Sequence, residues 1–193
     1  MTVDVYVEFH RTGQRLSGRW NPNEAERRAA WEMLVELTTR VPVIPLRKNE
    51  GLLREALTSL YTLFQETRGI LRSGGADVAV DRQGELSMAV ITGHLLNQVI
   101  RPVLAYWHPE LQRWEANVAG RPKREHELEW PQYTEFKELL EDLRETLIDF
   151  ARVFAVAAGA EEFLHIQLDN ESRQYEPRAR DAIQRLPHDR LSE

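Results

Sequence analysis

Apolar residues recur at spacings of three and four along residues 53–71: Leu53, Ala56, Leu57, Leu60, Leu63, Phe64, Ile70 and Leu71, with Thr67 in the same series. Only a helix of 3.6 residues per turn gathers such positions onto one face. The other face carries Arg54, Thr58, Thr62, Gln65, Glu66 and Arg72, and Gly74-Gly75 supplies a stop. A helix with one oily face must bury it against other elements. The spacing therefore predicts a helical core, with Leu57, Leu60, Phe64 and Leu71 at its centre.

Three further segments carry the same period. Asn21-Pro22 opens the first, as N-cap and first helical residue, and Ala30, Leu34, Leu37 and Val41 line its inner face. Pro42 and Pro45 end it and hold residues 41–46 extended. The third begins near Leu86-Ser87 and is apolar almost all round, through Met88, Ile91, Leu95, Val99 and Val103. Pro102 predicts a kink in it, and Trp107-His108-Pro109 predicts a break. Gly120, Pro122 and dense charges predict an exposed loop over 118–129. The fourth runs from about Pro131 to Ala158 on Phe136, Leu139, Leu143, Leu147, Phe150 and Phe154, and Gly159 stops it.

Two short stretches alternate with a period of two. Val3, Val5, Val7 and Phe9 face one way, and Asp4, Tyr6, Glu8 and His10 the other, which predicts a half-buried strand. Residues 15–20 return as a second strand after a turn at 11–14. Leu164 and Ile166 alternate with His165 and Gln167, so 163–168 is expected as a strand paired with the N-terminal one. The expected fold is mainly α, a bundle of about four helices with a small N-terminal strand or hairpin, extended by that C-terminal strand to α+β.

A length of 193 residues suits one domain. The expected division is 1–169, a helical-bundle domain with its N-terminal strand, and 170–193, a charged tail with a short helix near 177–186. With no cysteine, disulfides, thiolate metal sites and cysteine nucleophiles are excluded. The net charge of −6 argues against a general nucleic-acid or anionic-membrane binder. No apolar run reaches the roughly 18–20 residues of a membrane span. The N-terminus lacks a signal peptide's apolar stretch, so the expected location is cytoplasmic.

The most suggestive side chains lie on the third helix. At 100° per residue His94, Asn97, Arg101 and His108 fall within about 60° of one another, with Trp107 beside the break. Two imidazoles, an amide and a guanidinium can hold an anion or a partner's carboxylate. The plain alternative is that they form the narrow wet face every surface helix needs. The acids Glu135, Glu138, Glu141, Asp142, Glu145 and Asp149 lie opposite the fourth helix's apolar stripe and face solvent. A di-iron site needs two inward Glu-x-x-His pairs, and the chain has one, Glu162 to His165. Arg121, Lys123, Arg124 and His126 are diluted by interleaved Glu125, Glu127 and Glu129. No phosphate-binding loop, dinucleotide fingerprint, nucleophile elbow or zinc-protease motif occurs.

The strings from Ala30-Trp31-Glu32 to Thr39-Arg40, Leu63-Phe64-Gln65-Glu66-Thr67-Arg68, and Asn97 to Pro102 through Trp107-His108-Pro109-Glu110 resemble those of a family of uncharacterised bacterial helical proteins, over roughly residues 20–120. The resemblance implies a bacterial, mainly helical protein and carries no activity. The expected role is a non-enzymatic interaction or regulatory module of a multi-protein bacterial system, in defence or stress signalling. Its expected partner is another protein or a second copy, without membrane, nucleic acid, metal or cofactor. The alternative is a small enzyme or ligand-binding protein that uses the stripe of His94, Asn97, Arg101, Trp107 and His108.

Overall fold

The computed structural model describes residues 1–40, 52–117 and 122–172. The fold is mainly helical with one two-stranded antiparallel sheet. Strand β1 (Val3–Phe9) pairs with β2 (Gln14–Trp20) in a register that sets Val3 against Trp20 and Phe9 against Gln14. Gly13 makes the turn at φ +68°, where a side chain would be strained, and its N–H donates to the Phe9 carbonyl. Val3, Val5, Val7 and Phe9 are buried, and β1 lies on α6 (Tyr133–Ala158). Trp20 ends β2 fully buried, edge-on to Phe154 of α6.

Helix α1 (Glu24–Thr38) packs on α6 with one side and on α2 (Leu53–Gly74) with another. Its N-cap is Asn23, two residues beyond the expected Asn21, because Asn23 and Glu26 form a reciprocal capping box. After α2 the chain makes a short 3-10 turn, Gly75–Val78, and crosses to α3 (Met88–His94). A π turn, Leu95–Ile100, then joins α3 to α4 (Arg101–Glu115) without an interruption in the helical backbone.

The expected break at Trp107-His108-Pro109 does not occur, because α4 runs on through it to Glu115. The Arg101 N–H donates to the Leu96 carbonyl, five residues back. The wider π register gives Pro102, which has no N–H and would crowd the carbonyl four residues before it, a place near the start of α4. Pro109 sits inside α4 without ending it, held by Trp107, which is buried and stacks on Phe136 with ring centroids 4.8 Å apart.

Two further expectations are corrected. Within the segment expected as an exposed loop, α5 (Lys123–Leu128) forms and buries His126 and Glu127. Trp114 holds His126: its ring stacks on the imidazole at 4.7 Å, and its indole N–H donates to the His126 carbonyl. Residues 163–168 are not a strand but part of α7 (Glu161–Ser172). Gly159 caps α6 at φ +68° and turns the chain straight into α7, where Leu164 is buried and Phe163 meets Trp31 at 5.2 Å. Six alternating residues are too few to separate the two periods. Strand β1 finds its partner next door, with far less loop entropy to overcome than pairing across the chain. The extended segment expected at 41–46 and the short helix near 177–186 lie outside the described residues.

One buried carboxylate ties these pieces together. Glu26, fully buried, accepts through Oε1 from the Trp20 indole N–H at 3.2 Å and from the Met88 N–H at 3.0 Å. Its Oε2 accepts from the Asn23 N–H at 2.9 Å and from the Arg82 guanidinium at 2.8 Å. Burial pushes this carboxyl up, but the four donors outweigh it and hold it below the ordinary carboxylate range. A group with a depressed folded pKa contributes stability above its unfolded value and loses it as pH falls through the folded one. The stability advantage of the wild type over Glu26→Gln is therefore largest at neutral pH, at about 3–5 kcal/mol, and shrinks on acidification. Urea unfolding of both proteins across the acid range checks it, and a pH-independent gap contradicts it. In the core, Leu60 of α2 is fully buried. Leu60→Ala should lower unfolding stability by about 2–5 kcal/mol, read from the denaturant midpoint.

Candidate functional site

Helices α2 and α4 run antiparallel and leave an open groove of about 410 Å³ between them. Tyr61, Phe64 and Gln65 form the α2 wall, and Arg101, Leu104, Ala105, His108 and Pro109 form the α4 wall. Most of this surface is hydrocarbon or aromatic ring. Tyr61 is 53% exposed, a large apolar residue left facing solvent at the groove.

The polar stripe expected from the sequence is divided by the π turn. A period of 100° per residue does not hold across Leu95–Ile100, so residues before and after it face different neighbours. His94 is half-buried against Phe150 of α6, and that burial pushes its imidazole below the ordinary histidine range. Asn97 is exposed on the π turn and does not line the groove. Trp107 points into the core, between Phe136 and Trp130. Arg101 and His108 alone of the five line the groove.

Their electrostatic settings differ. His108 Nε2 lies 3.3 Å from Nη1 of Arg54, and Arg54 grips both carboxylate oxygens of Glu115. The His108 end of the groove is thus a neutralised cluster. The Arg101 guanidinium lies over the Phe64 ring at 5.7 Å, a cation–π contact, and among the described residues it has no carboxylate or hydrogen-bond partner. A charged, planar five-donor group left on an oily wall can take a carboxylate or phosphate in two-pronged fashion.

Tyr61, Phe64, Gln65, Leu104, Ala105 and Pro109 complete the groove; reasoning from sequence placed Phe64 in the core and Pro109 at a break, and did not single out Tyr61 or Ala105. Phe64 is only partly buried. One signal for α2 was present in the chain: Tyr61 falls on the same helical stripe as Arg54, Gln65, Arg68 and Arg72, where a residue serving only the core would not be.

A second cavity, about 480 Å³, lies among Leu52, Arg54, Glu55, Glu115, Lys123, His126 and Glu127. Its polar groups serve the fold. The buried Glu127 carboxylate takes the first backbone N–H groups of α2, from Leu53 at 2.9 Å and Arg54 at 3.1 Å. It caps a helix whose own N-cap, Leu52, has no side chain able to do so. The acids of α6 point outward; Glu141 and Asp149 pair with Arg144 and Arg152 on their own helix. Among the described residues no cluster of metal-ligating side chains occurs, and no helix is long and apolar enough to cross a membrane. Compared with known proteins, the chain matches no family model, no curated protein and no solved structure.

Burial pushes the Glu127 carboxyl above its ordinary range, against the pull of the two backbone N–H groups. A raised folded pKa reverses the sign found for Glu26: the contribution is full below the unfolded pKa and lost as pH rises through the folded one. Wild type should therefore lose stability relative to Glu127→Gln as pH climbs from about 4. Paired urea titrations measure this difference, and a difference that grows with pH would contradict it.

Proposed function

We propose that this protein is a non-enzymatic interaction module of a multi-protein bacterial system, and that the groove between α2 and α4 is where its protein partner docks. One observation carries the reading: the Arg101 guanidinium, without a charge partner among the described residues, lies over Phe64 on a solvent-open apolar wall. Aromatic and arginine side chains together are the composition that dominates binding energy at protein interfaces. The make-up of the walls supports docking over chemistry. An acid–base or nucleophilic centre needs a second reactive group aimed at the same space as His108. His108 instead faces the Arg54–Glu115 pair, and the other groove residues are Tyr61, Phe64, Gln65, Arg101, Leu104, Ala105 and Pro109.

Ala105 is exposed in the middle of the α4 wall, so Ala105→Trp fills the groove without entering the core. Affinity-tagged wild type and Ala105→Trp, expressed in the source cells, cross-linked and compared by quantitative mass spectrometry, test the proposal. A partner enriched with wild type and depleted by about tenfold or more with the variant, at unchanged melting temperature, is the expected result. Identical partner sets would overturn it.

A further inference from the structure

The reading of the groove as a docking surface leaves open what docks there, and the charges around it are specific. On α2, Arg54, Tyr61, Gln65, Arg68 and Arg72 fall within about 60° of one another at 100° per residue. The two acids of that helix, Glu55 and Glu66, lie more than about 100° away from the middle of that stripe. Because α2 and α4 are antiparallel, Arg68 and Arg72 continue the groove beyond Phe64, toward the end where Arg101 sits. Both are exposed, and among the described residues neither side chain has a partner. At the opposite end Arg54 is neutralised by Glu115. An acidic protein with a net charge of −6 thus sets three guanidiniums without a charge partner among the described residues at or beyond one end of this apolar groove.

Length narrows the occupant further. The α4 wall runs from Arg101 to Pro109, about 12 Å at 1.5 Å per residue. Two turns of helix, presenting apolar side chains at i, i+4 and i+7, span about the same distance. Extended peptides bind by adding backbone hydrogen bonds to a sheet edge, but both walls here are helices and offer no such edge. The walls suit side chains.

We infer that the groove binds a short amphipathic helix of a partner protein, its apolar face against Tyr61, Phe64, Leu104 and Ala105, and its acidic end on Arg101, Arg68 and Arg72. This rests on the docking reading above and adds the chemistry of the partner. Carboxylates spaced one turn apart on such a helix meet the three guanidiniums in charge-assisted bonds. The paired Arg54–Glu115 end offers no such attraction, so orientation follows from the charges. Arg101 leaves the Phe64 ring only as far as a carboxylate draws it.

Selection of a random peptide display library on the full chain provides the probes. Enriched peptides are synthesised with a fluorescent label, and their affinities are measured by polarisation against wild type, Ala105→Trp, Arg101→Glu and Arg68→Glu, each checked for an unchanged thermal unfolding curve. The expected peptides carry apolar residues at three- and four-residue spacing and a cluster of Asp or Glu, and gain helical circular dichroism on binding. They weaken by about tenfold or more with Ala105→Trp and with either charge reversal. Replacing the peptide's acids with Lys restores binding to Arg101→Glu. Peptides blocked by Ala105→Trp but indifferent to both charge reversals, or basic in composition, overturn the acidic-helix assignment and leave the groove a docking surface. Peptides indifferent to Ala105→Trp, or a selection that enriches nothing, overturn both. A uridine oligonucleotide or phosphatidylglycerol vesicles that displace the peptides and are themselves lost with Arg101→Glu assign the cations to nucleic acid or lipid, and overturn the inference.

Discussion

The Glu26 carboxylate is the joint on which the rest of the molecule depends. Removing a carboxylate from water costs several kcal/mol unless its lone pairs are filled. Here they are filled by four donors from four parts of the chain: the last residue of β2, the N-cap of α1, the crossing segment at Arg82 and the first residue of α3. No two of these can shift without exposing the charge to an unmet demand. The joint is reinforced beside it. The Leu86 N–H donates to the Arg19 carbonyl, and the Asn21 and Asn23 amides reach Glu85 and the Asp77 carbonyl. The hairpin and the start of α3 are thereby held at one end of α1. One part of the joint is left unmet: Nη1 of Arg82 is buried without a partner among the described residues.

From that joint the geometry of the groove follows. Helix α3 leaves it in a fixed direction, and the π turn sets the rotation at which α4 continues. With the register of 3.6 residues kept throughout, Arg101 would share a face with His94. The extra residue in the π turn leaves His94 on α6 and puts Arg101 over Phe64 of α2. At the far end, Glu127 holds the N-terminus of α2, and Arg54 ties α2 to Glu115 of α4. The two helices are pinned where their charges are paired. Away from those pins, Tyr61, Leu104 and Ala105 line the groove, and among the described residues only α2 and α4 contribute to its walls.

The helical core was open to sequence reasoning because its signal is long. Over 53–71 and 133–158 the apolar period repeats through several turns, and a competing period cannot mimic it. The N-terminal strand was equally plain, since β1 alternates over seven residues with one face fully buried. The segment 163–168 was not, because its alternation is as short as a single strand and its outcome was decided by Gly159 and the room beside Trp31. The role of Glu26 was hidden for a different reason. An acid in a first helical turn reads as a dipole partner facing water, and nothing local announces that Trp20, Arg82 and Met88 converge on it. Arg101 and His108 stood out in the sequence as polar residues on an apolar helix, and both line the groove, whereas the burial of Trp107 could not be read without its contacts to Phe136 and Trp130. Phe64's place in the groove's α2 wall was hidden because half-burial has no signature distinct from burial in a list of apolar positions, whereas Tyr61 on the polar stripe did carry a signal.

Native-state hydrogen exchange at the amides of Asn23 and Met88 tests the central claim most directly. Both donate to Glu26 and to nothing else in the helix ladders. If the carboxylate is the joint of the frame, neither amide can open while the rest stays folded, and both exchange with the free energy of global unfolding. Exchange through local opening, several kcal/mol below the global value, would show that hairpin, α1 and α3 come apart independently and would contradict the account.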